Sequence, residues 1–208
     1  SADLYQVWSR DPEQALMHLN LWTWISSGDL SISMAFMLDP LSAVMLLVVT
    51  GVGSLIHIFS MGYMHADKAY WRYFSYLNLF MFSMLLLILG KNLLVLFIGW
   101  EGVGLCSYLL IGFWFNDMEK SKAGQKAFVT NRIGDFCFLV GAFILLYYSQ
   151  GDLDFTRLSD LVAPGGALSD PANAGTITLI CLLFFAGACG KSAQLPLHIW
   201  LPDAMAGP

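Results

Sequence analysis

At 208 residues the chain is 57% hydrophobic, 14% aromatic and only 12% charged, with a mean hydropathy of +0.64. Soluble domains carry about 25% charged residues, so water is not the solvent this chain is built for. The same figures exclude disorder and collagen-like repeats, and the net charge of −5, with ten scattered Lys and Arg, leaves no basic patch for nucleic acid.

The N-terminal segment differs from the rest. Leu30, Ile32, Met34, Phe36 and Leu38 alternate with Ser31, Ser33, Ala35 and Met37, and that period of two predicts a short hairpin or strand outside the bilayer. Residues 1–39 therefore read as an extramembrane segment and 40–208 as a transmembrane bundle. Asp39 followed by Pro40 marks a helix start, an acceptor at the N-cap and then a residue whose missing N–H costs nothing.

A spanning helix needs about 20 apolar residues to cross about 30 Å of hydrocarbon. Five stretches qualify: Leu41 to Met61, Trp71 to Leu89, Leu93 to Phe115, Ala127 to Ser149 and Ile177 to about Trp200. The predicted fold class is an all-α multi-pass bundle whose last span is broken, because Gly187, Gly190, Lys191, Ser192, Gln194 and Pro196 weaken or interrupt its backbone hydrogen bonds. Such breaks occur where backbone lines a cavity or a site. None of the five reads as a signal peptide. Trp71, Trp114 and Trp200 at span ends fit interfacial anchoring. Loops holding Lys68, Arg72, Lys120, Lys122 and Lys126 fall on one side, against Arg10, Lys91 and Arg157 on the other, which orients the N-terminal segment to the exterior. Cys106, Cys137, Cys181 and Cys189 stand in apolar runs without C-x-x-C spacing and read as small buried residues.

Four ionisable residues fall inside the spans: Glu101, Arg132, Asp135 and Lys191. Each costs about 2.5 to 3.5 kcal/mol at the bilayer centre. At 1.5 Å of rise per residue, Glu101 and Lys191 lie about 12 and 21 Å from one face and Asp135 about 12 Å from the other, too deep to snorkel. Arg132 and Asp135, at i and i+3, read either as a self-neutralising pair or as a pair that also tunes a nearby proton carrier. Glu101 has no partner in its own helix and lies among Gly99, Gly102 and Gly104, which admit a neighbouring helix closely. Its expected counter-charge is Lys191, and a lysine and a glutamate at that depth exchange a proton as their separation or hydration changes. His57 and His198 are candidates to pass a proton, or are simply hydrogen-bonded and neutral. A haem held by these two histidines and a purely structural scaffold are weaker readings, the second leaving the mid-membrane charges without purpose. There is no G-x-G-x-x-G after a strand, no iron–sulfur cysteine cluster and no metal-ligand set, so no redox centre is expected in this chain.

Two long strings carry a resemblance: G-W-E-G-V-G-L-C-S-Y-L-L-I-G-F-W over 99–114 and G-K-S-A-Q-L-P-L-H-I-W-L-P-D-A-M-A-G-P over 190–208. They closely resemble the antiporter-like membrane subunits of respiratory complex I, the proton-pumping NADH:quinone oxidoreductase, and most of all the L type. The likeness runs from about Leu30 to the last residue. It implies an inverted-repeat antiporter-like fold, a proton-carrying pair of Glu101 and Lys191 modulated by Asp135 in R-I-G-D-F, with Arg132, His198 and His57 in support and the helix break at Gly190 and Pro196. It implies further that NADH, FMN, iron–sulfur clusters and quinone are handled by partner subunits, that M-, N- and K-type subunits are neighbours, and that the membrane is a bacterial inner membrane or its equivalent. The family's further helices are missing here, so on that reading the sequence is a piece of a longer subunit. The alternative within the same architecture is the large subunit of a multisubunit sodium/proton antiporter.

Overall fold

The computed structural model describes residues 16–28 and 30–208; Arg10, counted above in the loop balance, lies outside them. The first elements among the described residues form an antiparallel hairpin, β1 (Met17–Ser27) and β2 (Leu30–Leu38), the second strand coinciding with the alternation at 30–38. Six helices follow: α1 (Pro40–Tyr63), α2 (Tyr70–Leu89), α3 (Leu93–Ile111), α4 (Met118–Tyr148), the short α5 (Phe155–Val162) and α6 (Ala174–Lys191). Two 3₁₀ turns, Leu197–Trp200 and Pro202–Ala206, complete the described chain. All the helices except α5 are long and apolar enough to cross a membrane, and the chain is a multi-pass membrane protein.

Helix starts obey local chemistry. Asp39 Oδ1 accepts from the Ser42 amide and hydroxyl, both at 2.6 Å, with Pro40 at the first helical position. Asn92 caps α3 through Val95 N–H, and Asp117 caps α4 through Glu119 N–H. Three span boundaries differ from expectation. The third span stops at Ile111 rather than Phe115, because the chain turns at Gly112 and buries Phe113. The fourth begins at Met118 rather than Ala127: residues 118–126 are too polar to score as a span, yet Asp117 at the cap and Glu119 in the first turn suit a helix N-terminus. The fifth runs from Ala174 only to Lys191 and does not resume as α-helix; after the break the backbone folds into the two 3₁₀ turns against α4.

Close helix contacts fall at glycines. Gly99 lies against the Leu87 backbone and Gly102 against Ser83, which brings α3 onto α2. Gly134 of α4 faces Gly187 and Gly190 of α6, so these two helices also nearly touch backbone to backbone. Among the described residues α1 packs mainly on α2 and the hairpin, and its outer face, with Leu47, Leu55 and Phe59, is exposed as a lipid-facing surface should be.

At the hairpin end the elements are woven together. Lys91 N–H donates to Ala35 O, the Asn92 side chain donates to Ser33 O at 2.7 Å, and Leu93 N–H donates to Leu153 O. Lys91 pairs with Asp154 at 2.9 Å, and Asp154 caps α5. Burial pushes the Asp154 carboxyl up, but Lys91 and Thr156 outweigh it and hold the group below the usual carboxylate range. At the opposite end, Trp114 Nε1 donates to Asp67 at 2.8 Å, and this bond with the Ala69 amide lowers Asp67 likewise.

Candidate functional site

The four charges expected inside the spans converge on one seam between α3, α4 and α6. The glycine contact at Gly134 allows this: a Cβ there would meet Gly187 O and Gly190 Cα at 3.2 Å. Lys191, the last helical residue of α6, is thereby carried to the groove between α3 and α4. Its ammonium lies beside Gly104, about 16 Å along α3 and well inside the bilayer.

The charges pair in a crossed arrangement. Arg132 Nη1 contacts Glu101 Oε2 at 2.5 Å, bridging α4 to α3. Lys191 Nζ lies 3.8 Å from Asp135 Oδ2, bridging α6 to α4. The expected partnerships, Glu101 with Lys191 and Arg132 with Asp135, are therefore not direct contacts. The reason is the helix step: Arg132 reaches across to α3, while Asp135, 2% exposed, sits in the seam beside α6. Trp100 Nε1 donates to Asp135 Oδ1 at 2.5 Å, its ring stacks on Phe138, and the Lys191 ammonium stands 5.7 Å from the indole centroid. The Arg132 guanidinium, half exposed, covers Phe128.

Three buried atoms of the seam have no hydrogen-bond partner among the described residues: Glu101 Oε1, Lys191 Nζ and Asn131 Oδ1. Leaving such a group unsatisfied costs about 1 to 3 kcal/mol, more when charged. Groups held at that cost are ready to exchange partners or protons. Asn131, 4% exposed and one helical turn from Asp135, was missed by sequence reading, as was the role of Trp100. Asn131 stands at i−4 from Asp135, the spacing that shares a helix face, and that was the available signal.

The remaining expected residues fall outside the seam. His57 Nδ1 bonds Gly53 O of its own helix at 2.7 Å, on α1, which packs on α2 and the hairpin rather than on the charges. His198 is exposed in the Leu197–Trp200 turn, with no side-chain hydrogen bond among the described residues. The break at Gly190 and Pro196 is real, and one of the carbonyls it exposes, Gly190 O, accepts from Trp200 Nε1 at 3.1 Å. Cys106 and Cys189 are buried as expected, whereas Cys181 is exposed on the outer face of α6, where an apolar thiol meets lipid as easily as core. Among the described residues no group of His, Cys, Asp and Glu is arranged to hold a metal ion.

A bundle of apolar helices with a crossed charge cluster at a helix break defines the class. Residues 90–208 match the membrane domain described as NADH:quinone oxidoreductase/Mrp antiporter, and the chain belongs to that family. Residues 24–74 match the N-terminus of chain 5 of NADH-ubiquinone oxidoreductase (complex I). Among individual relatives, NADH-quinone oxidoreductase subunit L of Neisseria meningitidis serogroup B is 47% identical over 98% of this chain and 31% of its own length. The subunit of the same name from Escherichia coli K12 is 50% identical over 90% of this chain and 30% of its own. This chain thus spans about a third of the length of these curated relatives. A solved Mrp complex from Dietzia sp. contains a chain that superposes with a TM-score of 0.77 at 26% identity, over 99% of this chain and 21% of that one.

Proposed function

We propose that this chain is part of an L-type subunit of NADH:quinone oxidoreductase and that its seam carries protons across the membrane. The observation that carries the reading is the crossed cluster: two acids and two bases at mid-membrane, with a buried carboxylate oxygen and a buried ammonium that have no hydrogen-bond partner among the described residues. Asp135 and Glu101 take up and release the proton, Lys191 sets the energy of both carboxylates by where its ammonium rests, and Arg132 pairs with Glu101 across the seam. Moving one charge against 100 mV takes about 2.3 kcal/mol, on the scale of remaking one buried ion pair. Redox chemistry at NADH, FMN, iron–sulfur clusters and quinone belongs to partner subunits, and the M-, N- and K-type subunits are the membrane neighbours. The membrane is a bacterial inner membrane, as the named relatives support.

The Mrp neighbour favours a second reading, a cation/proton antiporter in which Asp135 or Glu101 exchanges sodium. The complete complex in sealed vesicles separates the two. Under the first reading, NADH oxidation acidifies the lumen equally with and without sodium, and Glu101→Gln lowers the yield in both. A sodium requirement, without any response to NADH, would transfer the assignment to the antiporter.

A further inference from the structure

Gly104 meets a different neighbour from the other seam glycines. Gly99 and Gly134 stand against backbone, where a methyl group has nowhere to go, and both are packing positions. A Cβ built at Gly104 has two neighbours within 4 Å among the described residues, and both are atoms of one side chain: Lys191 Nζ at 2.5 Å and Lys191 Cε at 4.0 Å. The ammonium occupies the space where any other residue would carry its first carbon.

The surroundings of that space explain its value. Gly104 is one helical turn from both Trp100 and Glu101, so the face of α3 that bears the carboxylate also bears the vacancy. Across the seam, Asp135 Oδ2 lies 3.8 Å from the same ammonium and is itself held by Trp100. The lysine therefore rests 3.8 Å from Asp135 and against the face of α3 that bears Glu101, hydrogen-bonded to neither.

We propose that Gly104 is a positioning residue for proton transfer: its missing side chain is the seat that holds the Lys191 ammonium between Asp135 and Glu101. This rests on the proton-carrying reading above. Filling the seat pushes the ammonium out and changes which carboxylate it favours, while the helix itself is not harmed, since alanine forms helix better than glycine and the displaced atom is the free end of a flexible chain. A packing glycine and a seat glycine thus make opposite forecasts for the same substitution.

The test uses the complete complex, purified and reconstituted in vesicles, with Gly104→Ala, Lys191→Met and the double variant. Gly104→Ala is expected to leave assembly and NADH:quinone turnover of uncoupled vesicles unchanged, to lower protons moved per electron by a measurable fraction, and to shift the pH at which pumping is half-maximal. In the Lys191→Met background the alanine is expected to have no further effect, because the group it displaces is gone. Normal pumping and an unchanged pH profile in Gly104→Ala, with Lys191→Met impaired, would overturn the seat while leaving the proton reading intact. Normal pumping in Lys191→Met would overturn the proton reading itself. Loss of assembly in Gly104→Ala that persists in the double variant would make Gly104 a packing position and refute the seat.

Discussion

The hairpin-end clasp and the mid-membrane seam are both polar, and they solve opposite problems. In the clasp every donor has been given a home: Asn92 caps α3 and holds Ser33, Lys91 binds Asp154 and the β2 backbone, and Leu153 takes the first amide of α3. In the seam, at greater depth and greater cost, a carboxylate oxygen, an ammonium and an amide oxygen are left without partners among the described residues. Full satisfaction fixes one geometry, whereas incomplete satisfaction keeps several within reach. The clasp is therefore structure, and the seam is where we propose that the charge moves.

That contrast is open to attack. The largest effect is expected from Asp135→Asn, which keeps an oxygen for Trp100 and removes the charge facing Lys191; proton transfer through the subunit should fall at least about tenfold, the equivalent of about 1.4 kcal/mol on the barrier, with the complex still assembled. Pumping that persists would break the comparison on the seam side. Asn92→Ala should do the reverse. Losing the cap and orphaning Ser33 O costs about 2 kcal/mol of resistance to denaturant, with protons per electron unaltered.

Asp154→Asn should be milder, about 1 kcal/mol or less, because the pair with Lys91 is partly exposed. Its pH dependence is the sharper readout. Asp154 is held below the ordinary carboxylate value, so its contribution is fully present above that value, about 4, and is lost as the pH falls through the lowered one. The native complex should lose hairpin-end stability in that acid window while the asparagine variant stays flat. Smallest of all, His57→Leu should leave pumping unchanged, since the imidazole bonds its own helix and packs toward Phe74 of α2, away from the seam.

Much of this was legible in the residues. Five spans follow from hydropathy, the start of α1 from Asp39 and Pro40, the hairpin from alternation at 30–38, and the four seam charges from their improbability in lipid. The pairing was not legible, because which of two charges at i and i+3 turns toward α3 depends on where α6 crosses, and that is set by glycine contacts between distant segments. The first turns of α4 escaped because hydropathy measures lipid preference, while residues 118–126 are helical through capping and propensity. Asn131 escaped because a neutral amide carries no charge signal, and Gly104 reads from sequence only as a small packing residue, because the position of Lys191 is what gives it another meaning.

The most direct measurement is the number of protons moved per electron by the complete complex carrying Lys191→Met, in sealed vesicles, beside its uncoupled quinone reductase rate. A reduced proton yield with the uncoupled rate preserved is expected if the seam carries protons. An unchanged yield would contradict it, since the seam would then be carrying no protons.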